Sequence, residues 1–257
     1  MGMGASADRP LDSLFELSFE DRVDHLAAEL QLMTELGQKV EEGLTLEFEH
    51  WYETARSRPA AEDEEAWEWL AEDAGEAKWL VCDVYPQLVR GAILLMVFAR
   101  AERWVGDLWC EVARRKGIAP PPKWGVTTDW LRKAGRAVSL EVTSVGGAAG
   151  SDVDNAWELR NVVAHHCASL EAWEQSGYAR DPQRVREFVG DHDLLTETRA
   201  GTLGMAPEFC KWAAAALSRV FAGLGKELDG LFAMPPHPGP SPAEGVASGE
   251  EGSPPSS

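Results

Sequence analysis

The chain is poor in cations: 24 Lys+Arg stand against 43 Asp+Glu over 257 residues, a formal charge of −19. So acidic a composition excludes a general nucleic-acid coat protein, because non-specific affinity of that kind comes from clustered cations that neutralise phosphates. It also argues against docking on an anionic membrane surface. Cysteines are few and scattered. Cys82, Cys110, Cys167 and Cys210 form no C-x-x-C pair, so neither a zinc knuckle nor a disulfide framework is indicated, and reduced, mostly buried thiols are expected. Long hydrophobic runs are lacking too. The longest, Gly91 to Ala99, lies between Arg90 and Arg100 and falls far short of a membrane span. The N-terminus shows no basic segment followed by an apolar one, so no secretory signal is read. Alternating strand-like runs are almost absent, which predicts an all-α, cytoplasmic protein without membrane association.

What is present is unevenly distributed. Residues 1–80 hold 21 acids and 6 bases, residues 81–136 hold 5 acids and 10 bases, and residues 137–257 hold 17 acids and 8 bases. A net of −15 therefore precedes a net of +5. The acidic part reads either as a solubilising face or as a field that repels nucleic acid everywhere but one place. Apolar residues reach 44%, enough for a sizeable core.

Helical periodicity runs through nearly every long segment. Ser18-x-x-Asp21 resembles a capping box ahead of Val23, Leu26, Leu30 and Met33. Gly37 is expected to end or bend that helix, with a second stretch running to about Arg56. An acidic helix carrying Trp67, Leu70 and Trp79 follows, and Pro86 marks a kink or a new first turn. Leu94, Val97, Phe98, Ala101, Trp104, Val105 and Leu108 then define one buried face of a long helix that ends near Gly117. A short helix is expected over Asp129–Gly135. The glycine-rich run at 144–152 reads as a loop, with Asp152 or Asp154 capping the next helix. Asp181-Pro182 opens a helix ending at Gly190, and Pro207 opens the last one. From Met234 onward the composition predicts disorder.

The segment from Asp154 to His166 carries the chemistry. On a helix wheel Asp154, Glu158, Asn161 and His165 fall within about 60° of one another, while Leu159, Val163, Cys167 and Leu170 take the other side. Arg160 stands about 140° from His165, so the two can converge on one ligand only from a cleft rim or with a second copy of the helix. A histidine titrating near neutrality can take the proton from a ribose 2′-OH or give one to a leaving 5′-oxygen. An arginine holds a phosphate and the charge that develops on it. An amide beside them fixes the imidazole or positions the ribose. Such a set supports cleavage of a phosphodiester in RNA and calls for no metal and no cofactor.

The series Arg160-Asn161-x-x-x-His165 resembles the Arg-x4–6-His signature of the HEPN superfamily, and the segment from Tyr85 to Trp109 is similar to the long helix that precedes that signature in bacterial members, including Arg90 and Glu102. The spacing by itself is weak, since Arg186 and His192 also satisfy it. Those two, however, are separated by Gly190 and lack a polar face, whereas Asn161 is one of only two asparagines in the chain. The resemblance covers about residues 80–232. It implies an HEPN-like antiparallel helical bundle over 61–232, an acidic helical extension over 1–60 and a tail over 233–257. It further implies a homodimer whose paired motif helices share one site, and a metal-independent endoribonuclease of toxin–antitoxin or antiviral-defence type, with an antitoxin or defence-system protein as a further partner. A catalytically inactive HEPN-like module that binds a protein or nucleotide is the alternative, and the N-terminal helices could inhibit in cis.

Around the catalytic candidates Arg160, Asn161 and His165 stand Glu102, Glu158, His166 and Arg90 as supporting residues, each with a structural reading beside it. His166 points towards the apolar side, and Arg90 lies in line with Leu94, where its stem can pack. Arg114, Arg115, Lys116 and Lys123 read either as a helix end satisfying its dipole or as a contact for the RNA backbone. Trp124 and Trp130 could stack on a base.

Overall fold

The computed structural model describes residues 18–57, 64–122, 125–177, 181–198 and 201–233. The expected tail, Lys123 and Trp124 lie outside the described residues, and so do the side chains of Trp67 and Leu70. The elements are α1 (Phe19–Ser57), α2 (Glu64–Trp79), a π-helical turn (Leu80–Val84), α3 (Tyr85–Lys116), α4 (Thr128–Ala137), α5 (Gly147–His166), α6 (Leu170–Gln175), α7 (Pro182–Asp191), β1 (Leu195–Glu197), β2 (Leu203–Met205) and α8 (Phe209–Ala233). The chain is mostly helical, and the two strands form only a small antiparallel hairpin.

Four long helices make the centre of the core, and α4, α6, α7 and the hairpin add Leu131, Trp173, Val185 and Leu203 to it. Arg100 pairs with Glu29, Ile93 meets Gly37, and Arg90 pairs with Glu41, so α1 and α3 run antiparallel. The Phe19 and Glu20 amides donate to Asp229, and Val23 lies against Gly225, so α1 is also antiparallel to α8. In the same way Phe98 packs on Trp157 and Gly91 faces Val163, setting α5 against α3, while Asp152 reaches Arg219 of α8. Helices α1 and α5 thus occupy one diagonal of a bundle and α3 and α8 the other. The first half of α1 belongs to this core, since Phe19, Val23, Leu26 and Leu30 are buried with Leu94, Val97, Phe98, Phe209, Phe221 and Leu224. Full burial of each such side chain is worth about 1.5–3 kcal/mol.

Several local expectations are corrected. Helix α1 does not stop at Gly37; a Cβ there would lie 2.6 Å from Ile93 Cγ1, so the glycine permits close approach of α3 inside an unbroken helix. Neither Asp152 nor Asp154 caps α5, which begins earlier, with Gly146 at its N-cap. Asp154 instead accepts hydrogen bonds from the Thr128 amide (2.8 Å) and hydroxyl (2.6 Å), closing the first turn of α4 from outside. The stretch expected as a loop is helical from Gly147 because Gly150 lets α5 press on the preceding chain: a Cβ there would stand 2.0 Å from the Val145 carbonyl oxygen. Three of the four thiols, Cys82, Cys110 and Cys167, are exposed, because only Cys210 falls on a stripe that faces the core.

Pro86 follows the π turn inside a continuous helix, and the wider hydrogen-bond spacing there, with the Tyr85 amide donating to Leu80 O, lets helix continue across the N–H that proline lacks. The continuous helix Glu72–Lys116 is, among the described residues, the one helix long and apolar enough to cross a membrane by length and composition, with a window of mean hydropathy 1.5. Its Leu94, Val97, Phe98 and Ala101 are buried in the bundle. The N-cap half of the expected capping box forms: Ser18 Oγ accepts from the Asp21 amide and donates to the Asp21 carboxylate. Asp181 likewise caps α7 through the Arg184 amide.

Candidate functional site

The last two turns of α5 present Arg160, Asn161 and His165 where α5 leaves the bundle. Leu159 and Val162 are fully buried and fix the rotation of the helix, which turns Arg160 and Asn161 towards the α3 edge. Arg160 is held from several directions. Its Nη1 donates to Asn161 Oδ1 at 3.0 Å, its Nη2 faces Glu102 of α3 at 3.9 Å, and its guanidinium carbon lies 4.8 Å from the Trp157 ring centre. Trp157 in turn packs edge-on against Phe98 at 5.7 Å. The Nε of Arg160 is buried and has no hydrogen-bond partner among the described residues. The side chain is 20% exposed, so a planar cation is pre-positioned at the surface with donor capacity left over.

Glu102 is the acidic side of this clamp. Burial pushes its carboxyl above the usual carboxylate range, and Arg160 partly opposes that. The 3.9 Å separation is an ion pair without a hydrogen bond, so Glu102 orients the guanidinium without capturing it.

His165 stands apart. It is exposed, one turn beyond Asn161, and its nearest ring is that of His166 at 6.4 Å, edge-on. No hydrogen bond among the described residues fixes its tautomer. The backbone behind it is rigid nonetheless: Cys167 (φ 49°) and Ala168 (φ 63°) are both left-handed, the Ala168 amide donates to Val162 O, and the Leu203 amide of β2 donates to Ala168 O at 2.7 Å. Two non-glycine residues in that region store about 1–3 kcal/mol each, held by the strand contact.

The other candidates separate into those near Arg160 and those elsewhere. Glu158 is buried, and His166 is half-buried at the helix end. Arg90 is away from the site: it pairs with Glu41 and donates to the Met205 carbonyl, and so ties α1 and β2 to α3. Arg114 and Arg115 both bind Glu111 at 2.7 Å, and Lys116 donates to the Val138 carbonyl at 2.6 Å. Trp130 lies under Lys133. The rival pair is structural: Arg186 pairs with Glu174 and Glu197, and His192 sits among Phe188, Phe209 and Trp212. Trp157 was not foreseen, although its place three residues before Arg160 on the same helix was available as a signal. Among the described residues no three His, Cys, Asp or Glu side chains gather as metal ligands.

The arrangement offers one oriented guanidinium able to bind an oxyanion and, a turn and a half away, one solvent-accessible imidazole able to move a proton. Comparison of the chain with protein-family models, with characterised proteins and with solved structures returned no match.

Proposed function

We propose that the protein is a metal-independent endoribonuclease of HEPN type, cytoplasmic and acting in a toxin–antitoxin or antiviral-defence setting. His165 takes the proton of a ribose 2′-OH, and the oxygen attacks the adjacent phosphorus. The bond to the 5′-oxygen breaks, that oxygen gains a proton from an imidazolium, and the products are a 2′,3′-cyclic phosphate and a 5′-hydroxyl. Arg160 carries the charge that builds on the phosphoryl oxygens. Asn161 acts through Arg160, whose Nη1 it accepts.

The observation that carries this reading is the clamped yet accessible Arg160 on the same helix as an accessible His165, a turn and a half further on. The pair is incomplete within one chain, because the two project in different directions from α5. A second copy supplies the missing half. In support, Leu88, Leu95 and Glu102 recur at seven-residue intervals along one edge of α3, and Leu88 is 63% exposed with Met96 exposed nearby. An apolar strip bordering the arginine clamp suits an interface between two motif helices.

Cleavage of RNA by the full chain in excess chelator, with a cyclic phosphate product, is the expected result. His165→Ala and Arg160→Ala should each lower the rate by about 100-fold or more while the circular dichroism melt stays that of the wild type. Chelator-sensitive cleavage, or alanine variants with full activity, would refute the proposal. A second reading, a binding module without catalysis, is favoured by one observation: Asn161, Glu102 and Trp157 already engage Arg160, while no hydrogen bond among the described residues orients His165. Stable capture of a partner with every RNA left intact at high protein concentration would decide for it.

A further inference from the structure

A pair of exposed arginines lies near the N-terminal end of α5. Helix α4 carries Arg132 and Arg136 one turn apart, and both line a cavity of about 450 Å³ closed on its other side by Ser139, Leu140, Glu141 and Val142. Neither guanidinium has an ion pair or hydrogen bond among the described residues. The neighbouring cations show the contrast. Lys133 pairs with Asp129, Lys116 is bound to a carbonyl, and Arg219 reaches Asp152. In the larger cavity between α1 and α3, Arg100 is paired with Glu29 and Arg114 with Glu111.

The cavity wall is fixed by the fold. The Leu140 amide donates to Gly135 O at 2.8 Å, Ser139 is held left-handed at φ 58°, and Glu227 of α8 accepts from the amides of Thr143 and Ser144 at 2.9 and 2.7 Å. Gly135 lies so close beneath the loop that a Cβ would meet Val142 Cγ2 at 2.4 Å. Glu227 is thereby committed to the loop, and the one acid that lines the cavity, Glu141, is exposed and forms no ion pair with either exposed arginine among the described residues. Arg132 Nη2 also lies 3.7 Å from where a Cβ on Gly146, the N-cap of α5, would stand. A guanidinium thus adjoins the positive end of a 20-residue helix, an arrangement that an interposed anion relieves.

We propose that Arg132 and Arg136 bind a phosphate group. Two forks one helical turn apart together offer more donors than a carboxylate has oxygens to receive, whereas a phosphate's several oxygens match them. The cavity exceeds a lone phosphate and falls in the range of small-ligand pockets, so the phosphate is carried on a larger group whose hydroxyls meet Ser139 and Glu141. That group is either a free phosphorylated small molecule or a nucleotide of an RNA strand. The site stands independently of cleavage at His165.

The test titrates the full chain with inorganic pyrophosphate and, separately, His165→Ala protein with a 12-nucleotide oligoribonucleotide, at fixed ionic strength. Pyrophosphate binding by the wild type is expected to weaken at least tenfold in R132Q/R136Q and to persist in R219Q, with melting curves unchanged. A parallel loss of oligoribonucleotide affinity identifies the source as RNA; loss confined to pyrophosphate identifies a free phosphate compound. Absence of pyrophosphate binding in the wild type, or equal binding in R132Q/R136Q, overturns the proposal whether or not the protein cleaves RNA.

Discussion

Glu111 offers a measurable check on how the basic end of α3 is used. Its side chain is 3% exposed and accepts from Arg114 Nε and Nη2 and from Arg115 Nε, all at 2.7 Å. These hydrogen bonds, that of Arg114 foremost and against the cost of burial, hold the carboxyl at about 2 instead of the ordinary 4.5. At about 1.36 kcal/mol per pH unit the ceiling on its contribution is about 3.4 kcal/mol. Arg114 is 68% exposed, so water screens much of the attraction, and about 1–2 kcal/mol is the expected net. The sign is that of a depressed carboxyl: the stabilisation is full above pH 4.5 and drains away as pH falls towards 2. Glu111→Gln should therefore unfold about 3–6 °C below the wild type at pH 7, and the gap should narrow steadily below pH 4. Paired thermal or urea melts from pH 7 to pH 3 read this difference directly. A variant as stable as the wild type at neutral pH, or a gap that stays constant down to pH 3, would refute the account and return Arg114 and Arg115 to the pool of cations free to meet RNA.

Gly150→Ala should destabilise by about 1–3 kcal/mol in a urea melt, because overpacking against the Val145 carbonyl outweighs the roughly 1 kcal/mol by which alanine favours a helix; a variant at or above wild-type stability would contradict the close contact that sets α5. If Arg132, Arg136 and Arg160 supply the phosphate contacts, oligoribonucleotide binding by His165→Ala protein should fall with salt at a log–log slope near −2. A slope steeper than about −4 would mean that many more cations engage the strand.

The helical character and the buried stripes of α3 and α8 were legible because their apolar residues recur at three- and four-residue spacing. Helix boundaries at glycine were not. Gly37 and the run Gly146–Gly150 read as breakers on propensity, yet tertiary contact decides there: Ile93 in one case and the Val145 carbonyl in the other occupy the space a side chain would need. At the site, the juxtaposition of Arg160 and Asn161 follows from sequence adjacency and the polar face of α5. The support from Glu102 depends on how α3 and α5 align, which no local pattern states. The same alignment problem hid the role of Arg90, whose partners Glu41 and Met205 are 49 and 115 residues away.

The charge asymmetry acquires a physical meaning once partners are assigned. Two acids of the N-terminal helix, Glu41 and Glu29, reach across to Arg90 and Arg100, so part of the −15 is spent on the +5 segment it precedes, while Asp24, Glu42, Glu47 and Glu49 of the same helix stay exposed. Glu111 and Asp129 take Arg114, Arg115 and Lys133 from within that segment. Among its described cations, those left without a carboxylate or carbonyl partner are Arg103, Arg132 and Arg136. A segment that looked like a basic patch is thus mostly internal neutralisation. Of these three, Arg132 and Arg136 line one cavity, while Arg160, paired with Glu102, stands near the other end of α5. If both proposals hold, the anion sites lie on two packed helices, Arg132 and Arg136 on α4 beside the start of α5 and Arg160 near the end of α5, a separation that suits a ligand carrying several phosphates better than a single phosphate.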